Sequence, residues 1–138
     1  MSVKFGGGSG DYFTRTTDLP STNTITVCGF ANLTTDSNGY ATLWGVDNGT
    51  TDYILLATAS DGTTLLYFDT VLPLYFGASA VVGTPFFFGM TKSGSNVNLY
   101  TRQLDTAVMT TASGTGNANP VVTAMFVGND GFVEPWNG

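Results

Sequence analysis

The chain has 138 residues, enough for one domain with a real core and too few for two ordinary ones. Only 10% of residues are charged and the net charge is −6, with Lys4, Arg15, Lys92 and Arg102 the only cations; so few and so scattered, they exclude nucleic acid and disfavour an anionic membrane surface as partners. With no His and a single Cys, the chain also excludes hydroxyl–imidazole triads, His-containing zinc sites and an intrachain disulfide.

From the N-terminus, Val3-Lys4-Phe5 and Asp11-Tyr12-Phe13-Thr14 read as short strands joined tightly through Gly6-Gly7-Gly8-Ser9-Gly10. A phosphate-cradling glycine loop needs a helix after it, and no helical period follows. Met1 to Gly10 lacks the apolar core of a secretory signal, and no window approaches the ~18 apolar residues of a membrane span, so no membrane insertion is expected. The expected setting is therefore a domain of a longer secreted chain, or a protein made in the cytoplasm and displayed later, as on a virion.

Asn23 to Leu33 is a strand, rich in β-branched and aromatic residues at Thr24, Ile25, Thr26, Val27 and Phe30. Cys28 within it reads as a small buried hydrophobe rather than a reactive thiol. After the Asn38-Gly39 turn, Tyr40, Thr42, Trp44 and Val46 are expected on one face of the next strand, Ala41 and Leu43 on the other. Trp44 reads as core. Asp47-Asn48-Gly49 breaks this strand and Tyr53 to Ala59 forms the next. Asp61-Gly62 is then the strongest hairpin signal in the chain. Its flanks are nearly continuous apolar runs, as in strands covered on both sides.

Leu72 to Phe76 reads as a short strand interrupted by Pro73. Pro85 to Leu104 then forms a hairpin, an apolar run turning at Ser93-Gly94-Ser95-Asn96 into an alternating run through Val97, Leu99 and Tyr100. Ala107 to Thr111 is read as a strand, Ser113 to Pro120 as a loop, and Val121 to Val127 as the last clear strand. Turn signals recur roughly every 8–12 residues, the spacing of a sandwich or barrel. These elements predict an all-β fold, an antiparallel jelly-roll β-sandwich of two sheets, as a single domain over residues 1–138.

The hairpin resembles the central hairpin of the concanavalin A-like sandwiches, laminin-G-like branch, whose pattern is roughly W-x-x-h-A-h-T-x-x-G-x-x-h-x-L-Y. Gly89, Thr91, Gly94, Val97, Leu99 and Tyr100 stand at matching positions, and Pro85-Phe86 stands where that family usually places a Trp. Ile25 to Phe30 echoes a second family stretch, with Phe30 in place of its Trp. In that family the stretch resembling Val127 to Asp130 leads into one further strand. The resemblance therefore implies that a closing strand is lacking beside Val3 to Phe5. An open sheet edge there would be filled by self-association or a partner chain, unless Phe132 and Val133 fold back to close it.

Carboxylates are the remaining catalytic groups. Retaining glycosidases of this fold resemble one another in an E-x-D-x-x-E strand motif that sets two Glu ~5–5.5 Å apart. Glu134 is the only Glu here, so no enzyme activity is expected. Two oxygen-rich loops, Asp47-Asn48-Gly49-Thr50-Thr51-Asp52 and Asn129-Asp130-Gly131, suit calcium, with Asp47, Asn48, Asp52 and Asp130 as ligands, separately or shared. Turns use the same residue types, and that role competes with ligation. For a glycan, Trp136, Tyr53 and Asn129 are the expected contacts, supplying rings beside neutral polar atoms. The leading expectation is a non-catalytic carbohydrate-binding or adhesive module of a surface or virion protein. The alternatives are a structural module of an assembly, needing no small ligand, and, last, a relative of the glycoside hydrolases.

Overall fold

Period-two patterning dominates the chain, and strands are what it forms. The computed structural model describes residues 12–32, 41–49, 52–58, 64–69, 78–79 and 84–128. Among them the strands are β1 (Tyr12–Arg15), β2 (Thr24–Ala31), β3 (Ala41–Asp47), β4 (Tyr53–Thr58) and β5 (Thr64–Asp69). They continue with β6 (Ala78–Ser79), β7 (Phe86–Ser93), β8 (Asn96–Gln103), β9 (Thr110–Thr115) and β10 (Ala124–Gly128). Two sheets result, one in the order β1-β10-β3-β4-β5-β6 and the other β2-β7-β8-β9. Every pairing is antiparallel. The chain changes sheet between β1 and β2, β2 and β3, β6 and β7, and β9 and β10, which wraps it as a jelly roll. The all-β two-sheet sandwich expected from the sequence is what forms.

The core lies between the sheets. Trp44, Val46, Ile54, Leu56, Leu65 and Tyr67 face Ile25, Phe86, Phe88, Met90, Val97 and Leu99. Trp44 is core, as its strand position implied. The larger sheet has packing on its other face too: the Phe126 ring lies over Gly45 beside Leu55. Phe126 is buried in this second layer, and on β4 Ala57 is as buried as its neighbours Leu56 and Thr58.

Two turns follow their sequence signals. Ser93 pairs with Asn96 across Gly94-Ser95, and Gly94 alone of the two central residues has positive φ, +58°. That is the type II′ pattern, whose twist matches a hairpin. β4 and β5 pair from Ile54–Asp69 to Thr58–Leu65, a register centred on Asp61-Gly62, which lies outside the described residues.

Four expectations are corrected. A β-bulge between Thr42 and Trp44 shifts the register from Thr42–Ala57 to Trp44–Leu56, so Thr42 faces opposite to Trp44 and not with it. The strand expected at Ala107–Thr111 is instead β9, Thr110–Thr115; Val108 and Met109 are exposed. Small residues at Ala112 and Gly114 suffice to cover the core there, so composition suggested a loop. The last strand begins at Ala124 rather than Val121, because Val121 and Thr123 donate their N–H groups to Asp52 Oδ2 at 3.1 Å and the Asp47 carbonyl at 2.6 Å. Cys28 is exposed, since β2 turns Ile25 and Val27 inward and Thr24, Thr26 and Cys28 outward. The readings at Val3–Phe5, Gly6–Gly10, Leu72–Phe76, Phe132–Val133 and Trp136 lie outside the described residues.

Gly45 is the tightest glycine of the second layer. A Cβ there would meet the Phe126 ring and stand 2.8 Å from Leu55 Cδ2. Gly45→Ala should cost about 1–3 kcal/mol of overpacking and lower Tm by roughly 3–12 °C. Calorimetry checks this, and an unchanged Tm would show that Phe126 packs elsewhere.

Candidate functional site

Three polar constellations bear on function. The first is buried between the sheets. β7 turns Phe86, Phe88, Met90 and Lys92 inward in one phase, and Lys92 is only 2% exposed. Its Nζ donates to the carbonyls of Thr22 at 2.7 Å, Gly94 at 2.7 Å and Ala118 at 2.8 Å. An ammonium has three protons, so its donors are used up. Across the core, buried Asp69 accepts from the Tyr67 hydroxyl at 3.0 Å and from the Asn117 N–H. Burial lowers the Lys92 pKa, with the Asp69 charge opposing that shift. Burial, then Asp69, raises the Tyr67 pKa so far that the hydroxyl keeps its proton and remains a donor. Gly116 seats against this pair, for a Cβ there would meet both Asp69 Oδ2 and the Tyr67 hydroxyl. The cluster ties three connections together and presents no free group to a ligand.

The second constellation is the expected metal loop. Asp47 Oδ1 accepts from Gly49 N–H at 2.8 Å, and Asn48 Oδ1 accepts from Asp52 N–H at 3.0 Å. Gly49 has φ +78°, and Asn48 N–H reaches the Asp52 carbonyl at 2.9 Å. The oxygens therefore serve the turn and its strap to Val121. No three His, Cys, Asp or Glu come together among the described residues.

Asn129, Asp130 and Trp136 lie outside the described residues. β10 nevertheless runs from Ala124, opposite Asp47, to Val127, opposite Trp44, and so leaves toward the far end of β3. The site expected to be shared with the Asn129–Asp130 loop lies in part outside the described residues. Tyr53, the third expected glycan contact, is half-buried beside Asp47 at the start of β4. Burial, then the Asp69 charge, raises its pKa.

The third constellation is the outer face of the four-stranded sheet. Register sets its residues in rows across the strands: Thr24, Ser93, Asn96 and Thr115; then Thr26, Thr91, Asn98 and Ser113; then Cys28, Gly89, Tyr100 and Thr111; then Phe30, Phe87 and Arg102. The second row is joined by hydrogen bonds. Ser113 Oγ donates to Asn98 Oδ1 at 2.8 Å, and Asn98 Nδ2 lies 3.5 Å from Thr91 Oγ1. The Tyr100 hydroxyl, also 3.5 Å from Thr91 Oγ1, links the third row to it. Phe30 is 71% exposed and meets Phe87 edge to face at 5.7 Å. Phe87 leans over Gly89, where a Cβ would stand 3.3 Å from its ring.

This face offers hydroxyls and amides that donate and accept, beside aromatic rings. Its one formal charge is Arg102, and no carboxylate stands in these rows. It sets the exposed Phe30 ring and the half-buried Phe87 and Tyr100 rings beside neutral polar rows. The sequence held the signal in the outward phase: T-x-T-x-C-x-F in β2, N-x-N-x-Y-x-R in β8 and T-x-S-x-T in β9. Polar alternation reads first as plain solvation, and the triple Phe hides that Phe87 alone of the three points out.

Compared with protein-family models, the chain matches none, and no curated protein matches it.

Lys92→Met should lower the unfolding free energy by about 3–5 kcal/mol, because the Thr22, Gly94 and Ala118 carbonyls and the Asp69 charge lose their cation. Urea titration measures this; a loss under about 1 kcal/mol would mean the carbonyls find water instead.

Asp47 gives a signed pH effect. Burial raises its pKa above 3.8, the Gly49 hydrogen bond opposing. The folded state then binds the proton more tightly than the unfolded chain, so stability falls as pH rises from 3.8 through the folded-state pKa. Asp47→Asn should therefore gain in Tm relative to the unmodified protein across that window, and a flat difference would refute it.

Proposed function

We propose that this protein is a non-catalytic carbohydrate-binding module of the laminin-G-like kind, and that the outer face of its four-stranded sheet is the binding surface. The observation that carries this is the adjacency of rows: a hydroxyl–amide row (Thr26, Thr91, Asn98, Ser113) beside rows bearing Tyr100, Phe30 and Phe87. A sugar ring has an apolar C–H face and a rim of hydroxyls. An exposed ring removes the first from water, and neutral donors and acceptors match the second without the desolvation cost of charges. Phe30 is the anchor, for an exposed aromatic on a rigid strand loses little entropy on binding. Tyr100 and Asn98 set orientation. The surface does not rely on Trp136, Asn129 or the Asp47 loop.

A binder is favoured over a hydrolase because glycosidic cleavage needs two carboxylates flanking the bond, and the rows carry none. Display on a cell surface or virion fits a module that must meet glycans outside the cytoplasm. The second reading, a structural module of an assembly, draws on Leu104, Val108 and Met109. These are exposed together around the β8–β9 connection, as contact residues for another protein would be.

A glycan array followed by titration of the best hit tests the proposal. Phe30→Ala should weaken binding about tenfold or more, equal to ~1.4 kcal/mol, with Tm nearly unchanged because the side chain is exposed. Asn98→Ala should weaken it likewise. Absence of any glycan binding, or binding indifferent to both substitutions, would overturn it.

A further inference from the structure

β2 is an edge strand of unusual regularity. All eight of its residues, Thr24 to Ala31, pair with β7 without a break in register. Its other side meets no strand among the described residues. The hydrogen bond from Gly94 N–H to the Asn23 carbonyl, 2.8 Å, fixes which main-chain groups face where. Asn23 and Gly94 continue the Thr24–Ser93 register by one step, so they form a hydrogen-bonded pair. Alternate pairs therefore bond in the same way: Ile25–Lys92, Val27–Met90, Gly29–Phe88 and Ala31–Phe86. It follows that Thr24, Thr26, Cys28 and Phe30 aim their N–H and C=O groups away from the sheet.

Edge strands are normally protected by charge, proline, a bulge or brevity. β2 has none of these: its sequence is TITVCGFA. The other described edges differ. β1 has four residues and includes Arg15, β6 has two, and β9, with six, is shorter than β2.

We propose that β2 pairs antiparallel with β2 of a second copy of this chain, about a two-fold axis at Val27. That axis sets Thr24 against Phe30 of the partner subunit and Thr26 against Cys28 of the partner subunit, with the reciprocal pairs completed by symmetry. Each of these residues has its main-chain groups turned outward, so donors meet acceptors residue for residue. Such self-complementarity is what an isologous interface requires.

Charge permits this occupant despite the net −6 of each copy, because β2 carries no charge. The nearest charge on the outer face is Arg102 on β8, two strands inward. Two copies would hold their Arg102 side chains more than about 24 Å apart, five strand spacings plus an offset along the strands, beyond the ~8–10 Å reach of screened charges in solution. The product is one continuous eight-strand sheet whose outer rows run on from one copy to the other. Glycan binding is not a premise of this pairing, and either stands without the other.

Sedimentation velocity over a range of concentrations, with the full chain, tests it. The unmodified protein should dimerise. Thr26→Pro removes an N–H that serves the edge and not β7, a position where a strand tolerates proline. Thr26→Lys places like charges across the axis. Both should be monomeric with unchanged circular dichroism, and if the proline variant does not fold, the lysine variant decides. In the dimer the two Cys28 side chains are diagonal neighbours about 7–8 Å apart between backbones, so a short bis-maleimide should join two copies through the chain's only cysteine. A protein that stays monomeric at every concentration would overturn the proposal. So would a dimer that survives Thr26→Lys, or one that the reagent does not link.

Discussion

One ammonium holds the end of the sandwich at which the β7–β8 hairpin turns. The Thr22 carbonyl belongs to the approach to β2, Gly94 to the turn between β7 and β8, and Ala118 to the connection from β9 to β10. These segments are far apart in sequence, and their carbonyls converge on one buried ammonium. Lys92 satisfies all three from a strand whose neighbouring inward residues are apolar. The cost is a buried charge, which Asp69 offsets from the facing sheet. Asp69 is itself held by Tyr67 and by the Asn117 N–H, so both sheets and three connections meet in one network. Partial networks of this kind are worse than none, which explains why Gly116 must be so small.

The two sheets have been put to different uses. The larger has the core on one face and, on the other, the buried Phe126 ring lying over Gly45 beside Leu55. The smaller has only one face in the core and leaves the other open. An open face of this size is ordinarily studded with charged residues. Here Thr, Ser and Asn keep it wet, and Phe30, Phe87 and Tyr100 interrupt the wetting. Polar hydration and exposed rings thus share a surface whose shape is set by eight-residue strands in regular register.

How much of this was legible beforehand depends on the scale of the signal. The hairpins were, because Ser93-Gly94-Ser95-Asn96 and Asp61-Gly62 are local chemistry and their flanks have a clear period. Trp44 in the core followed from its phase. The role of Lys92 did not, since a lysine is read as solvated unless its phase with Phe86, Phe88 and Met90 is given more weight than its charge. Cys28 failed in the opposite sense: an apolar residue beside apolar neighbours turned outward because Thr24 and Thr26 share its phase. β9 was invisible to composition, as its burial depends on which strand it meets. The polar and aromatic rows of the outer face were present in the letters but not in any contiguous stretch, for they exist only once register aligns four strands.

The bulge at Leu43 has a consequence for how this chain can change length. Along a regular strand, adding or losing one residue inverts every side chain beyond it and destroys the core. At the bulge the ladder already carries an unpaired residue, between the Thr42–Ala57 and Trp44–Leu56 pairs. Removing that residue would join two segments whose faces are already assigned, leaving Trp44 and Val46 inward and Thr42 outward. The strand therefore contains a slot where descendants of this sequence can shorten by one residue without refolding, a freedom that the unbroken ladders of β2 and β7 do not share.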